Sequence, residues 1–150
     1  MRPLTLALAL LLAAAAAGGP AIAQTSALPT TQLTAGIHLI TAEVATNDAT
    51  RTRGLMFRQA LPANHGMLFV FDSRSIHCMW MRNTLIPLSV AFVEDDGTIV
   101  NILDMKPHDD NRHCAARPVR FALEMSQGWF AQRGIGPGAK LGRLPRTEPR

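Results

Sequence analysis

A mainly β chain, folded as a compact sandwich or partly closed barrel with one or two short helices, is what this sequence predicts. Three observations carry that expectation. Apolar and polar residues alternate at period two over several short runs, clusters of Gly, Pro, Asn and Asp separate those runs, and no strand–helix–strand rhythm recurs along the chain.

The elements follow in order. Residues 1–23 read as a secretory signal peptide: Arg2, an uncharged apolar run from Leu4 to Ala17, the breaker Gly18-Gly19-Pro20 and a small-x-small end at Ala21-Ile22-Ala23. That run is shorter than the roughly 20 residues a spanning helix needs, so no membrane span is expected. Gln24 follows the cleavage pattern where a lipoprotein would carry cysteine, which makes the expected product soluble and periplasmic or secreted. Residues 24–32 read as a flexible leader. Ile37 to Ala42 alternates as a strand, Thr46-Asn47-Asp48 caps a brief helix that ends at Arg53 before Gly54, and Leu61 to Gly66 is a loop. Met67 to Phe71 is apolar on both faces, with Asp72 to Ser75 read as the turn after it. Leu85–Val93 and Thr98–Met105 form the strongest pair, because Glu94-Asp95-Asp96-Gly97 between them supplies the positive φ of a hairpin turn. Val119 to Met125 reads as a half-exposed strand, Gln127 to Arg133 as a short helix stopped by Gly134, and Lys140 to Leu144 as a last strand. Residues 33–144 thus form one domain, with 145–150 as a tail.

Thirteen of the fifteen basic residues are arginines, and they are interleaved with acids rather than gathered on one stretch. Nucleic-acid binding wants charge concentrated on a face, so no nucleic-acid partner is expected. No cofactor is implied by any motif, and neither a phosphate-cradling glycine loop nor a GxSxG elbow occurs.

Several blocks carry a resemblance. Arg51-Thr52-Arg53-Gly54-Leu55-Met56-Phe57-Arg58, Gly66 to Phe71, Met79-Trp80-Met81-Arg82-Asn83-Thr84-Leu85-Ile86-Pro87-Leu88, and Leu123-Glu124 with Gly128 are similar to the DUF192 family of small, often exported bacterial and archaeal proteins. The resemblance spans about residues 33 to 144. It implies a compact, mainly β domain and no assigned function. The family has aspartate directly after the Pro-Leu pair where this chain has Ser89, so a mechanism resting on that carboxylate does not carry over.

Two dipeptides, His77-Cys78 and His113-Cys114, hold the cysteines. An exported domain favours a Cys78–Cys114 disulfide over two buried thiols. A zinc site from both dipeptides lacks close CxxC or HxxxH pairs, and no metal site is assigned. If Ile76 to Asn83 is a strand, His77, Met79 and Met81 share one face while Cys78, Trp80 and Arg82 share the other. Imidazole and thioethers suit Cu(I), whereas methionine on an alternating strand serves more often as core filler.

Two function classes remain. The first is a non-enzymatic binding or accessory module of the cell envelope whose groove, lined by Arg58, Trp80, Arg82 and Asn83, holds a small anionic molecule or a peptide; guanidinium groups suit carboxylates and phosphates. The second is an envelope hydrolase or lyase with His65 or Glu124 as acid or base. The bland use of Arg58 or Arg82 is an internal ion pair with Glu124 or Asp72.

Overall fold

The computed structural model describes residues 27–147, so the expected signal peptide and the first part of the leader lie outside the described residues. Strands β1 (Thr30–Ala35) and β2 (His38–Ala45) form an antiparallel hairpin about Gly36, whose φ of 57° suits glycine. β1 starts within the stretch read as leader, because the extended Thr30-Thr31-Gln32 pairs with Glu43, Ala42 and Thr41. Helix α1 (Asp48–Arg53) follows, with a capping box in which the Asn47 side chain accepts from the Thr50 N–H and the Thr50 hydroxyl accepts from the Asn47 N–H.

The chain then enters β3 (His65–Ser75), parallel to β2. This strand–helix–strand crossover was not expected. It is invisible as a rhythm because it occurs once and its helix has a single short turn's worth of pattern. β3 also runs on through Asp72–Ser75, which were read as a turn; a register shift between Val70 and Ser75 accommodates them against the next partner.

Strands β4 (Cys78–Met79), β5 (Leu88–Val93), β6 (Ile99–Met105), β7 (His113–Cys114), β8 (Val119–Ser126) and β9 (Leu141–Gly142) complete the set. The main sheet has seven strands in the order β6-β5-β8-β3-β2-β1-β9, and β4 pairs with β7 in a small second sheet. Its edges approach each other: Thr98 and Lys140 form a bridge, the Leu141 N–H donates to Gly97 O, and the Ile99 N–H to Ala139 O. The result is a curled half-barrel, as the sequence predicts.

The β5–β6 hairpin turns at Gly97 (φ 87°), as expected. The segment from Ile76 to Asn83 is strand only at Cys78–Met79, because the chain turns at Asn83 (φ 53°), where Thr84 N–H donates to Met81 O. Its alternation survives: Met79 and Met81 are buried, Trp80 and Arg82 exposed. The expected second helix is reduced to a 3-10 turn at Ala131–Arg133, ended by Gly134 in the left-handed region.

β8 is buried on both faces rather than half exposed, since it lies between β3 and β5 at the middle of the sheet. Phe121, Leu123 and Met125 point into the half-barrel with Leu33, Ile40, Leu68 and Trp129. Ala122 and Val119 belong to a second core on the outer face with Met67, Phe69, Val90, Met79 and Met81. Glu124 alternates onto this outer face.

Candidate functional site: a pocket over the outer face of the sheet

One cross-strand row of the outer face runs Glu43, Met67, Glu124, Val90, Leu103 over β2, β3, β8, β5 and β6. Met67 and Val90, the direct neighbours of Glu124, are fully buried. Glu124 itself is 3% exposed, and among the described residues its carboxyl has no hydrogen bond or ion pair. Burial alone raises it from the ordinary 4.5 to about 8, so the group is a neutral acid at pH 7.

Glu124 lines a pocket of about 230 Å³. Arg51 to Met56, from α1 and the turn after it, form one wall; Cys78 to Trp80 with Arg82 and Thr84 form the opposite wall; Phe69 and Phe71 of β3 complete the apolar lining. The two walls are tied together by the Phe57 N–H, which donates to Asn83 O at 2.8 Å. Both residues of that tie hold left-handed backbone, Phe57 at φ 63° and Asn83 at φ 53°. For phenylalanine this conformation is costly, and the surrounding contacts must impose it.

Cations dominate the charged lining. Arg51 is fully engaged: one terminal nitrogen donates to Thr46 O and Val70 O, the other to Asp48 and Asp72, at 2.6 to 3.0 Å. Burial works against its charge, but these carboxylates more than offset the loss and its pKa is raised. Arg82 donates through Nε to Asp110 at 3.3 Å and lies over the Trp80 ring at 4.3 Å. The Arg53 guanidinium has no hydrogen-bond partner among the described residues and is exposed at the rim.

A second hollow of about 550 Å³ adjoins the first, sharing Arg53, Gly54 and Met56, and is lined by Leu28, Thr30, Glu43 and Arg58. Arg58 makes a two-point pair with Glu43 at 2.6 Å for each bond, so its partner is neither Glu124 nor Asp72. The four groove residues expected together are therefore divided. Trp80 and Arg82 line the first pocket, Arg58 the second, and Asn83 serves as the turn that closes a wall. Asp72 pairs with Arg51, a partner that sequence reasoning did not assign. His65 opens β3, exposed and outside the lining of the Glu124 pocket, so the two acid–base candidates are not brought together.

Cys78 and Cys114 form the expected disulfide, directly opposite each other on β4 and β7. With both sulfurs bonded, no thiolate is left for the zinc alternative. His77 stacks on Phe71 with ring centroids 3.6 Å apart and its Nε2 is 3.0 Å from Ser73 O, while Met79 and Met81 pack in the outer core. The imidazole and thioethers of the copper alternative are thus occupied with packing. Ser89 donates to Asp104 and accepts the Gly128 N–H at 2.9 Å, so a serine–aspartate pair spans β5 and β6.

Fold and site together define a small β half-barrel carrying an acid-based pocket on its outer face. The chain belongs to the DUF192 family, described as uncharacterized ACR, whose family model matches residues 30–142. A crystal structure from Sinorhizobium meliloti 1021, provisionally described as a transcription regulator, is 35% identical, with a TM-score of 0.69 over 73% of this chain and 88% of that one. A protein of unknown function from Novosphingobium aromaticivorans DSM 12444 is 36% identical, with a TM-score of 0.76 over 85% of this chain and 94% of that one. Among curated proteins no match is found.

Proposed function

We propose that this chain is an exported, non-catalytic binding module that takes a small anionic molecule into the Glu124 pocket. The observation that carries the reading is an unpartnered, buried carboxyl in a pocket of mixed apolar and polar lining whose other charged liners are all arginines. Burying an acid without a partner costs stability, and a site that supplies the missing hydrogen bond from a ligand accounts for keeping it. The Cys78–Cys114 disulfide supports an oxidising compartment. The description of one structural neighbour as a transcription regulator belongs to that protein; here Arg51, Arg58, Arg82 and Arg120 are each engaged by carboxylates, which favours a small ligand over nucleic acid.

A second reading, an envelope hydrolase or lyase, draws on the same raised carboxyl, which suits a general acid. It is the weaker reading because no second titrating partner lines the pocket: the hydroxyls there are Thr52 and Thr84, and His65 lies elsewhere. The test screens small anions against the disulfide-bonded mature chain by thermal shift and by the emission of Trp80, with Trp80→Phe as control for the signal from Trp129. Binding without turnover is expected; chemical conversion of a bound compound that stops in Glu124→Gln would favour the enzyme, and a chain that binds nothing would refute the module.

A further inference from the structure

We propose that the Glu124 pocket selects a small arene carboxylate with a second, uncharged hydrogen-bonding group at its far end. The carboxylate meets Arg82 and Arg53 at the mouth, the apolar body lies against Phe69, Phe71, Met79 and Trp80, and the far group meets Glu124. This assignment rests on the binding reading above and names the chemistry of its ligand.

The sign of the ligand follows from which cations are spent. Arg51 gives its guanidinium to two carboxylates and two carbonyls and has little left to offer. The Arg53 guanidinium has no partner among the described residues, and Arg82 uses only Nε, leaving its terminal nitrogens as donors at the mouth. The acids that balance these arginines, Asp48, Asp72 and Asp110, stand outside the pocket lining. A cation entering the mouth therefore meets only guanidinium groups, whereas a carboxylate meets two with free donors.

The far group follows from Glu124. The charged groups facing it are Arg51 and Arg53 from α1 and Arg82 from the segment after β4. From the sheet, Met67 of β3 and Val90 of β5 are apolar; Glu43 of β2 lies one strand beyond Met67 and is neutralised by Arg58; His65 of β3 is exposed outside the lining. No free cation in the lining is held against the carboxyl by a hydrogen bond, which is why burial prevails and the proton stays on. A neutral carboxyl offers one donor and one acceptor, the complement of a carboxamide or hydroxyl. A ligand without that group leaves the acid unsatisfied and is expected to bind roughly tenfold more weakly.

Size completes the class. Since a cavity of about 150 Å³ accommodates one benzene ring, a pocket of about 230 Å³ holds a ring with one polar substituent, while the carboxylate remains at the mouth.

The experiment titrates the mature, disulfide-bonded chain with 4-carbamoylbenzoate, benzoate, neutral terephthalamide and cationic 4-carbamoylbenzylamine, following Trp80 emission and backbone amide shifts of pocket residues. The expected order is 4-carbamoylbenzoate tightest, benzoate roughly tenfold weaker, and the amine without saturation. Dissociation constants for 4-carbamoylbenzoate should be level at pH 6 to 7.5 and rise about tenfold per unit above pH 8, as the fraction of protonated Glu124 falls. In Glu124→Gln, which keeps a donor and an acceptor, that rise should vanish. Arg82→Gln should weaken the carboxylates by about tenfold and leave terephthalamide unchanged. Tight binding of the amine, or an unaltered pH rise in Glu124→Gln, overturns the ligand class while leaving the binding module standing. Failure of all four probes and of a wider fragment set to move pocket resonances overturns both; the comparison of anion with amine requires no variant to fold.

Discussion

Replacing Glu124 by glutamine should remove a dependence of stability on pH that weakens the parent chain most at and above about pH 8. In the unfolded chain the carboxyl ionises near 4.5, whereas in the folded chain burial holds its proton to about pH 8. Below pH 4.5 both states carry the proton and the group favours neither. Between the two values the native state binds more protons than the unfolded one, so the stability attributable to this group falls as pH rises, by about 1.4 kcal/mol per unit. Above pH 8 both states are ionised and the loss is complete. Over the roughly 3.5 units of that window the loss is on the order of 5 kcal/mol, a large fraction of a small domain's total stability. Glutamine does not titrate, fills nearly the same volume and removes the dependence. The assay is denaturant unfolding of parent and variant at pH 5, 6, 7, 8 and 9 with the disulfide intact. The difference between them should grow in favour of glutamine up to about pH 8 and then level off. A constant difference across this range would show that the folded carboxyl ionises normally, and the account of Glu124 as a neutral acid would fall.

Three further outcomes follow from particular contacts. Reducing Cys78–Cys114, whose cysteines are 36 positions apart, should cost about 4 kcal/mol by chain entropy and free two thiols in a quantitative thiol assay that finds none in the native chain. Gly66→Ala should destabilise by more than about 2 kcal/mol in thermal or denaturant melts, because a Cβ there would collide with Glu124 O and Met125 Sδ between β3 and β8. Arg58→Met should cost only roughly 1 kcal/mol, as the pair with Glu43 is partly solvated, and should leave ligand titrations at the Glu124 pocket within about threefold of the parent.

What the sequence makes legible here is what local chemistry determines. The β5–β6 hairpin can be read because Asp96-Gly97 supplies its turn, and α1 because Asn47 and Gly54 bracket it. The disulfide can be read because the N-terminal pattern leads one to expect export and there are two cysteines to pair. Long-range pairing is illegible for the corresponding reason. Arg58 and Glu43 lie 15 residues apart and meet only because β2 and β3 run parallel, and nothing local to either residue encodes that crossover. β8 misleads because Arg120 and Glu124 both read as polar positions on an exposed face. Arg120 does reach outward, to Asp95 and Asp72 O, whereas Glu124 is covered by the walls of the pocket. The site residues missed, Arg53 among the charged ones and Met56, Phe69 and Phe71 among the apolar ones, all lie in blocks already singled out by resemblance. Treating each block as a wall rather than choosing its most polar member would have found them.

The pocket also gathers features that stability alone disfavours. A leucine at position 124 would fill the outer row beside Met67 and Val90 without burying an acid, and glycine or asparagine at position 57 would relieve the left-handed backbone that Phe57 adopts. Two unfavourable choices in unrelated parts of the chain, one at the base and one at the tie between walls, meet at a single hollow. Departures from local consistency that converge in space mark a site more reliably than any one of them, because each has its own independent cost. The larger hollow beside Arg58 shows the contrast: its acid and base satisfy each other through two short hydrogen bonds and leave nothing for a ligand to complete. Volume favours that hollow, but unsatisfied chemistry favours the smaller one, and binding selectivity is set by the chemistry.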